Sequence, residues 1–397
     1  MAAEAATDLT KLEDHYRAKA ARLHETAEVA TPPQSGVGGQ RVPPDELKAF
    51  LRRYYWQAPV EDILDRSPSE LAGVALAHYE LATQRAQGTA VVRAATLSED
   101  DEQTLGTRSV VQVVSEDMPF LVDSVTAELS RLGRRLHHVV HPVLVVRRDI
   151  AGALRQVCDT SDPGRCPADG VVESWMHVEI DRETEPEALA QIEADLRRVL
   201  NDVREAVEDW GKMRAAAVRI ARELENTQLD LPAQDTDEAA ELLRWLVDDH
   251  FTFLGYREYL LEGGADGEEG LRALPASGLG ILRSDSDMAN AFRRLPPAAR
   301  VRARERNVLI LTKADSRSTV HRSVYLDYVG IKSFDANGDV VGERRFLGLF
   351  SSAAYTESVT SVPVLQRKVA EVLQRAHLPK SSHSGKDLLD ILETYPR

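Results

Sequence analysis

The chain has 397 residues, 43% of them hydrophobic and 28% charged, the balance of a globular protein with two or three cores. Its 49 basic and 64 acidic side chains leave a formal charge of −15, a field that repels phosphate backbones and anionic lipid and argues against nucleic acid or membrane as partner. Two cysteines, Cys158 and Cys166, are too few for a disulfide scaffold or a four-ligand zinc site; two free thiols in a reducing cytoplasm are the plainer reading beside a disulfide at a hairpin tip.

The opening Met-Ala-Ala-Glu-Ala has neither the basic nor the apolar region of a secretory signal, and no apolar run approaches the ~18 residues of a membrane helix, so a cytoplasmic chain is expected. Leu9, Leu12, Tyr16 and Ala20 step at helical spacing within residues 8–24. The proline- and glycine-rich stretch from Ala30 to Pro44 reads as a mobile linker, which makes residues 1–44 an N-terminal segment and linker. Residues 45–104 read as a small helical unit. Its first helix ends near Tyr54-Tyr55-Trp56. Its second begins at Ser67-Pro68-Ser69-Glu70, where serine caps, proline suits the first turn and Glu70 completes a capping box. Leu71, Val74, Ala75, His78, Leu81 and Ala82 share one face of that helix, and residues up to about 92 are expected to belong to this helical unit.

The period then changes. Ser109–Ser115 is rich in β-branched residues and predicts a strand, and Pro119 opens a helix that Gly133 stops. Strands are expected from about His137 to Arg148 and from Glu173 to Asp181, and a helix near Pro186. Residues 105–185 thus have the order β-α-β-β-α, most of a ferredoxin-like unit. Across 186–230, Leu189, Ile192, Leu196, Val199, Val203, Val207, Trp210, Met213, Ala217, Ile220 and Leu224 form one long helical stripe. Such a stripe outruns one small sheet. It is either buried along the domains of its own chain or forms a helical dimer seam.

Residues 236–377 predict a helix over 237–248 and then strands at Phe251–Leu261, Gly280–Arg283, Val308–Lys313, Thr319–Phe334 and Val340–Ser351, with Asn337-Gly338 as a hairpin signal. Arg293–Arg306 reads as loop or short helix, and a helix over 363–376 closes the region. One helix followed by a mostly antiparallel sheet resembles a PAS-type sensor domain. The overall class is α+β. Residues 378–397 read as the start of a following segment, so a longer protein is expected.

No catalytic constellation emerges. Gly278-Leu-Gly280 has Arg283 where a dinucleotide turn needs a third small residue, and Gly36-Val-Gly-Gly39 follows no strand. His137 and His141 would share a strand face about 13 Å apart, too far to share a metal, and His177 on the next strand adds at most one ligand. Asp248-Asp249-His250 reads as helix-end chemistry. Arg317, His321 and Arg322 concentrate positive charge, suited either to a carboxylate or phosphate ligand or to pairing with acidic side chains across an interface.

Several strings together resemble the N-terminal region of the large bacterial NAD-specific glutamate dehydrogenases: Tyr54-Tyr55 with Glu61-Asp62, Glu116–Ser124, Thr312–Arg322, Tyr325–Gly330, Arg345–Phe350 and Ile391–Arg397. The resemblance runs from about residue 45 to the end. It implies ACT-type and PAS-type regulatory modules here, with no catalytic residue, cofactor site or metal in this chain. The catalytic part of the same polypeptide, with NAD, would lie elsewhere and convert L-glutamate to 2-oxoglutarate. It further implies a homo-oligomer and an amino-acid effector at the first β-to-α turn. That turn is Asp117-Met118-Pro119-Phe120, which lacks the glycine such modules use, and Phe120 adds bulk there. A free-standing amino-acid sensor or interaction protein built from the same modules is the alternative, and a hydrolase using the histidines a distant third.

Overall fold

The computed structural model describes residues 2–31, 42–96, 108–160, 170–227, 230–263, 269–283 and 292–394. Most of the expected linker, and the Cys166 half of any Cys158–Cys166 pairing, lie outside the described residues. The chain divides into two compact units, residues 1–201 with 319–323, and residues 202–318 with 324–397.

In the first unit, α1 (Ala2–Val29), α2 (Pro44–Tyr54), α3 (Val60–Leu64) and α4 (Pro68–Ala82) precede the sheet. The capping box forms: Ser67 Oγ accepts the Glu70 N–H and Glu70 Oε2 accepts the Ser67 N–H at 2.8 Å. The sheet comprises β1 (Val91–Thr96), β2 (Arg108–Glu116), β3 (Leu136–Val140), β4 (Val143–Arg148), β5 (Leu154–Val157) and β6 (Gly170–Asp181), with α5 (Leu121–Arg131) between β2 and β3. Central β6 pairs antiparallel with β2 on one side and with β3 and β4 on the other; β1 lies outside β2 and β5 outside β4. The helices and this sheet share one core. Phe50, Tyr79 and His78 pack against the fully buried Trp175.

Two features depart from expectation. The unit expected to be helical over 45–104 also holds a strand: α4 ends at Ala82, and Val91–Thr96 pairs with β2. The expected single strand from His137 to Arg148 breaks at His141-Pro142, because proline offers no N–H to a ladder. The outer edge of β1 is closed by side chains of α6 (Pro186–Asn226): Glu193 Oε1 accepts the Ala94 N–H at 2.9 Å and Arg197 donates to the Val92 carbonyl at 2.8 Å. An edge so satisfied offers no template for another strand.

The long stripe of α6 is one helix, and Ile192, Leu196, Val199, Val203, Met213, Ala217, Ile220 and Leu224 are buried within the single chain, whereas Leu189 and Val207 are half-buried and Trp210 is exposed. Most of the stripe is therefore buried along its own chain.

In the second unit, α7 (Ala233–Trp245) ends in a π turn, Leu246–His250, and leads into β7 (Phe251–Gly263). The sheet continues with β8 (Glu269–Ala273), β9 (Leu279–Gly280), β10 (Phe292–Arg294), β11 (Leu309–Arg317), β12 (Tyr325–Phe334) and β13 (Val340–Phe350), in the antiparallel order β10-β8-β7-β13-β12-β11, with β9 on β7. Helix α8 (Pro297–Arg304) precedes β11; α9 (Ser352–Thr356), α10 (Leu365–Arg375) and α11 (His383–Thr394) follow β13. Met213, Ala217, Ile220 and Leu224 of α6 join Leu243 and Leu246, and Phe253, Val329, Ile331 and Phe346, in its core. Asp335 carries the β12–β13 hairpin, its Oδ1 accepting the Asn337 and Asp339 N–H groups while Gly338 takes φ +76°. The strand expected from Thr319 begins only at Tyr325, and Gly280–Arg283 contributes to the sheet only through Leu279–Gly280. Among the described residues no helix is long and apolar enough to cross a membrane.

Candidate functional site

In the first unit β2 ends at Glu116, and Asp117–Phe120 turn the chain into α5. The Asp117 N–H donates to Val172 O on β6 at 3.0 Å and fixes the start of the turn. Asp117 and Pro119 are exposed, and Met118 and Phe120 half-buried. Phe120 takes φ +73°, a left-handed conformation that costs a bulky L-residue free energy. Its carbonyl accepts the Ser124 N–H at 3.0 Å and the Ser124 hydroxyl at 2.6 Å, which closes the first turn of α5.

His321, also left-handed at φ +67°, lies against this turn. Its backbone N–H donates to Ser124 Oγ at 2.9 Å, and its Nδ1 lies 2.8 Å from Asp123 Oδ2. A carboxylate only accepts, so Nδ1 carries the proton. The His321 and Phe120 ring centroids are 5.0 Å apart, and neighbouring Val320 is fully buried. Asp123 also lies in the first helical turn, where backbone N–H dipoles favour negative charge. An open cavity of about 440 Å³ adjoins, lined by Asp123, Thr126, Ser130, Leu136, His321 and Arg322.

Six of the seven residues singled out in the sequence thus lie in one unit: Asp117, Met118, Pro119 and Phe120 form the turn, and His321 and Arg322 flank the cavity. Arg317 ends β11 in the second unit, its guanidinium 4.8 Å from the Tyr325 ring centroid.

The clustered histidines go to different partners. His137 Nε2 meets Asp181 at 2.6 Å, His138 Nδ1 meets Asp62 at 3.4 Å, and His141 Nε2 meets Ser174 Oγ at 2.6 Å. His177 registers against Val140, not His141, and its Nε2 lies 3.6 Å from Glu179. Among the described residues no group of three or more His, Cys, Asp or Glu side chains is arranged to hold a metal. His250 stacks on Trp245 at 4.3 Å, its Nδ1 lies 2.8 Å from the Trp245 carbonyl oxygen, and it pairs with Glu357 at 2.9 Å.

Two buried polar networks lay beyond sequence reasoning. His78 is wholly buried; the Tyr54 hydroxyl donates to its Nδ1 at 2.8 Å and its Nε2 donates to Val113 O at 3.1 Å. That pattern fixes the neutral Nε2–H tautomer, and burial, then nearby His177, hold its pKa down to about 3. Glu173, also wholly buried, accepts from Arg85 at 2.8 Å, Arg148 at 2.6 Å and the Trp175 indole at 3.0 Å. The apolar face of α4 places His78 inward; nothing in the sequence pairs it with Tyr54.

Residues 50–196 match the family description "Glutamate dehydrogenase, ACT1 domain", and residues 362–397 match "Glutamate dehydrogenase, helical motif 1". The chain is 37% identical over 368 residues to the NAD-specific glutamate dehydrogenase of Halomonas elongata, covering 89% of this chain and 22% of that protein. With the enzyme of the same name from Pseudomonas aeruginosa it shares 34% identity, covering 91% and 22%. With that of Mycobacterium tuberculosis it shares 34%, covering 81% and 18%. The chain therefore spans about a fifth of the length of these curated relatives. An RNA-binding light-oxygen-voltage receptor overlaps 77% of this chain and 87% of its own at a TM-score of 0.15 and 9% identity, too slight a likeness to bear on the fold.

Proposed function

The chain belongs to the NAD-specific glutamate dehydrogenase family, and from that premise we propose that it is the N-terminal regulatory and assembly portion of a much longer cytoplasmic polypeptide. The catalytic part of that polypeptide converts L-glutamate, NAD and water to 2-oxoglutarate, ammonium and NADH. The observation that carries this reading is the match along nearly the whole chain to only 22% of each of two relatives. The topology supports it. Every strand pairing among the described residues is antiparallel, whereas a dinucleotide fold places the pyrophosphate at a parallel βαβ turn.

On this reading the first sheet is a ferredoxin-like, ACT-type module whose fourth strand position is filled by β1, from the N-terminal side of the unit. The second unit is a PAS-like module, and the assembled enzyme is a homo-oligomer. The turn Asp117–Phe120 works as a docking seat rather than an amino-acid site: it has no glycine, and the Phe120 ring packs 5.0 Å from that of His321. NAD binds the catalytic part, and the partner of this chain is that part.

Incubating the purified chain with L-glutamate and NAD and following absorbance of NADH tests the division of roles. No turnover above the protein-free control is expected. Steady NADH formation that scales with chain concentration contradicts it.

A further inference from the structure

The second unit's sheet has one face in the core with α6 and α7 and another that carries charge. Side chains alternate along a strand, and cross-strand partners share a face. The register sets Gly330, Arg345 and Arg257 abreast, and two residues along it sets Lys332, Glu343 and Tyr259 abreast, all on the face opposite core residues Val329, Ile331 and Phe346. Three cations and one carboxylate therefore share this face.

Two of the cations are engaged. Lys332 donates to Arg302 O, Glu305 O and Asn307 Oδ1 at 2.6–2.7 Å, and Arg257 donates to Leu282 O. Arg345 differs. Its guanidinium carbon lies 4.1 Å from the Tyr259 ring centroid and 4.9 Å from that of Tyr328, held between two aromatic rings. Its Nε donates to the Tyr328 hydroxyl at 2.9 Å and lies 3.4 Å from Glu343 Oε1. Tyr328 in turn donates to Glu343. Gly330 leaves room for this arrangement, since a Cβ there would stand 2.9 Å from Tyr328 Cε1 and 3.0 Å from Glu343 Oε1.

The side chain is thus fixed at its Nε edge while remaining 17% exposed, and among the described residues no acceptor meets its two terminal nitrogens. Burial raises the Glu343 carboxyl above the usual carboxylate range, which weakens the only negative charge in these two rows. A guanidinium held flat, with a free pair of N–H donors and excess positive charge around it, matches the two oxygens of a carboxylate. Tyr328 and Gly330 belong to the string Tyr325–Gly330, and Arg345 opens Arg345–Phe350; the function above leaves both strings without a task.

We propose that Arg345, clamped between Tyr259 and Tyr328, anchors a binding site for a small carboxylate on the face of the second unit's sheet opposite its core. The site is distinct from the turn at Phe120 and does not depend on the dehydrogenase reading.

Calorimetric titration of the full chain with succinate, L-glutamate and acetate, with inorganic phosphate as a tetrahedral anion, tests it. At least one carboxylate is expected to bind more tightly than phosphate. Arg345→Lys keeps the charge and the ring contacts but loses the fork, and is expected to weaken that binding about 10-fold or more while leaving the unliganded melting temperature near that of the parent. Arg345→Met should abolish it. No carboxylate binding at millimolar concentration, binding of phosphate alone, or equal affinity in the parent and Arg345→Lys would each overturn the proposal.

Discussion

His78 is the clearest case of a single residue whose environment sets its chemistry. In the fold it stays neutral, donating to Val113 and accepting from Tyr54, and its pKa falls to about 3. His138, His141 and His177 are also shifted down, burial being the largest cause in each. Below pH about 6.5 the unfolded chain takes up protons that the fold refuses, so the neutral histidines stabilise the fold fully above that value and lose their effect as pH drops towards 3. Urea midpoints measured from pH 7 to pH 4.5 should therefore fall, with His78 alone contributing roughly 1 kcal/mol per pH unit below 6.5. In His78→Asn that slope should be shallower; an unchanged slope would show that His78 titrates freely. Sequence reasoning reached the inward face of His78 but not its partners, because Tyr54 and Val113 come from elements 24 and 35 residues away. The same limit applies to the turn at Phe120. Its missing glycine was legible, whereas the seating of His321, nearly two hundred residues on, depends on tertiary packing.

At the scale of elements, periodicity was most informative where one face meets a core. Helices α2, α4, α5 and α10, strands β2, β7 and β13, and the Asn337-Gly338 hairpin all formed close to where spacing and turn chemistry placed them. Short elements escaped. β5 has four residues and β8 five beside a glycine-rich stretch, each too brief to show a period. β1 was hidden because Val91–Thr96 holds only two β-branched apolar residues, Val91 and Val92, beside Ala94-Ala95, and pairing with β2 decides its form. For α6, sequence left two readings open, and burial separates them. Val203 is wholly buried in a single chain, so Val203→Asp places an unpaired carboxylate in the interior. The variant should lose more than about 3 kcal/mol of stability with no change in the molecular mass of its folded fraction. A halved mass in sedimentation with an unchanged urea midpoint would restore the dimer seam.

For the whole molecule, the described strands form two antiparallel sheets, and family similarity supplies the context that physics alone does not. Composition and spacing reached the mixed α and β class; the role as one portion of a larger enzyme rested on the resemblance of particular strings. The most direct test is the size of the native polypeptide that carries this sequence, read by an antibody raised against the 44.0 kDa chain in lysate of its source cells. A chain covering 22% of its relatives predicts a band several times larger, which would be enriched with NAD-dependent glutamate oxidation. A single band at 44 kDa, with dehydrogenase activity fractionating elsewhere, would contradict the account and leave a free-standing sensor.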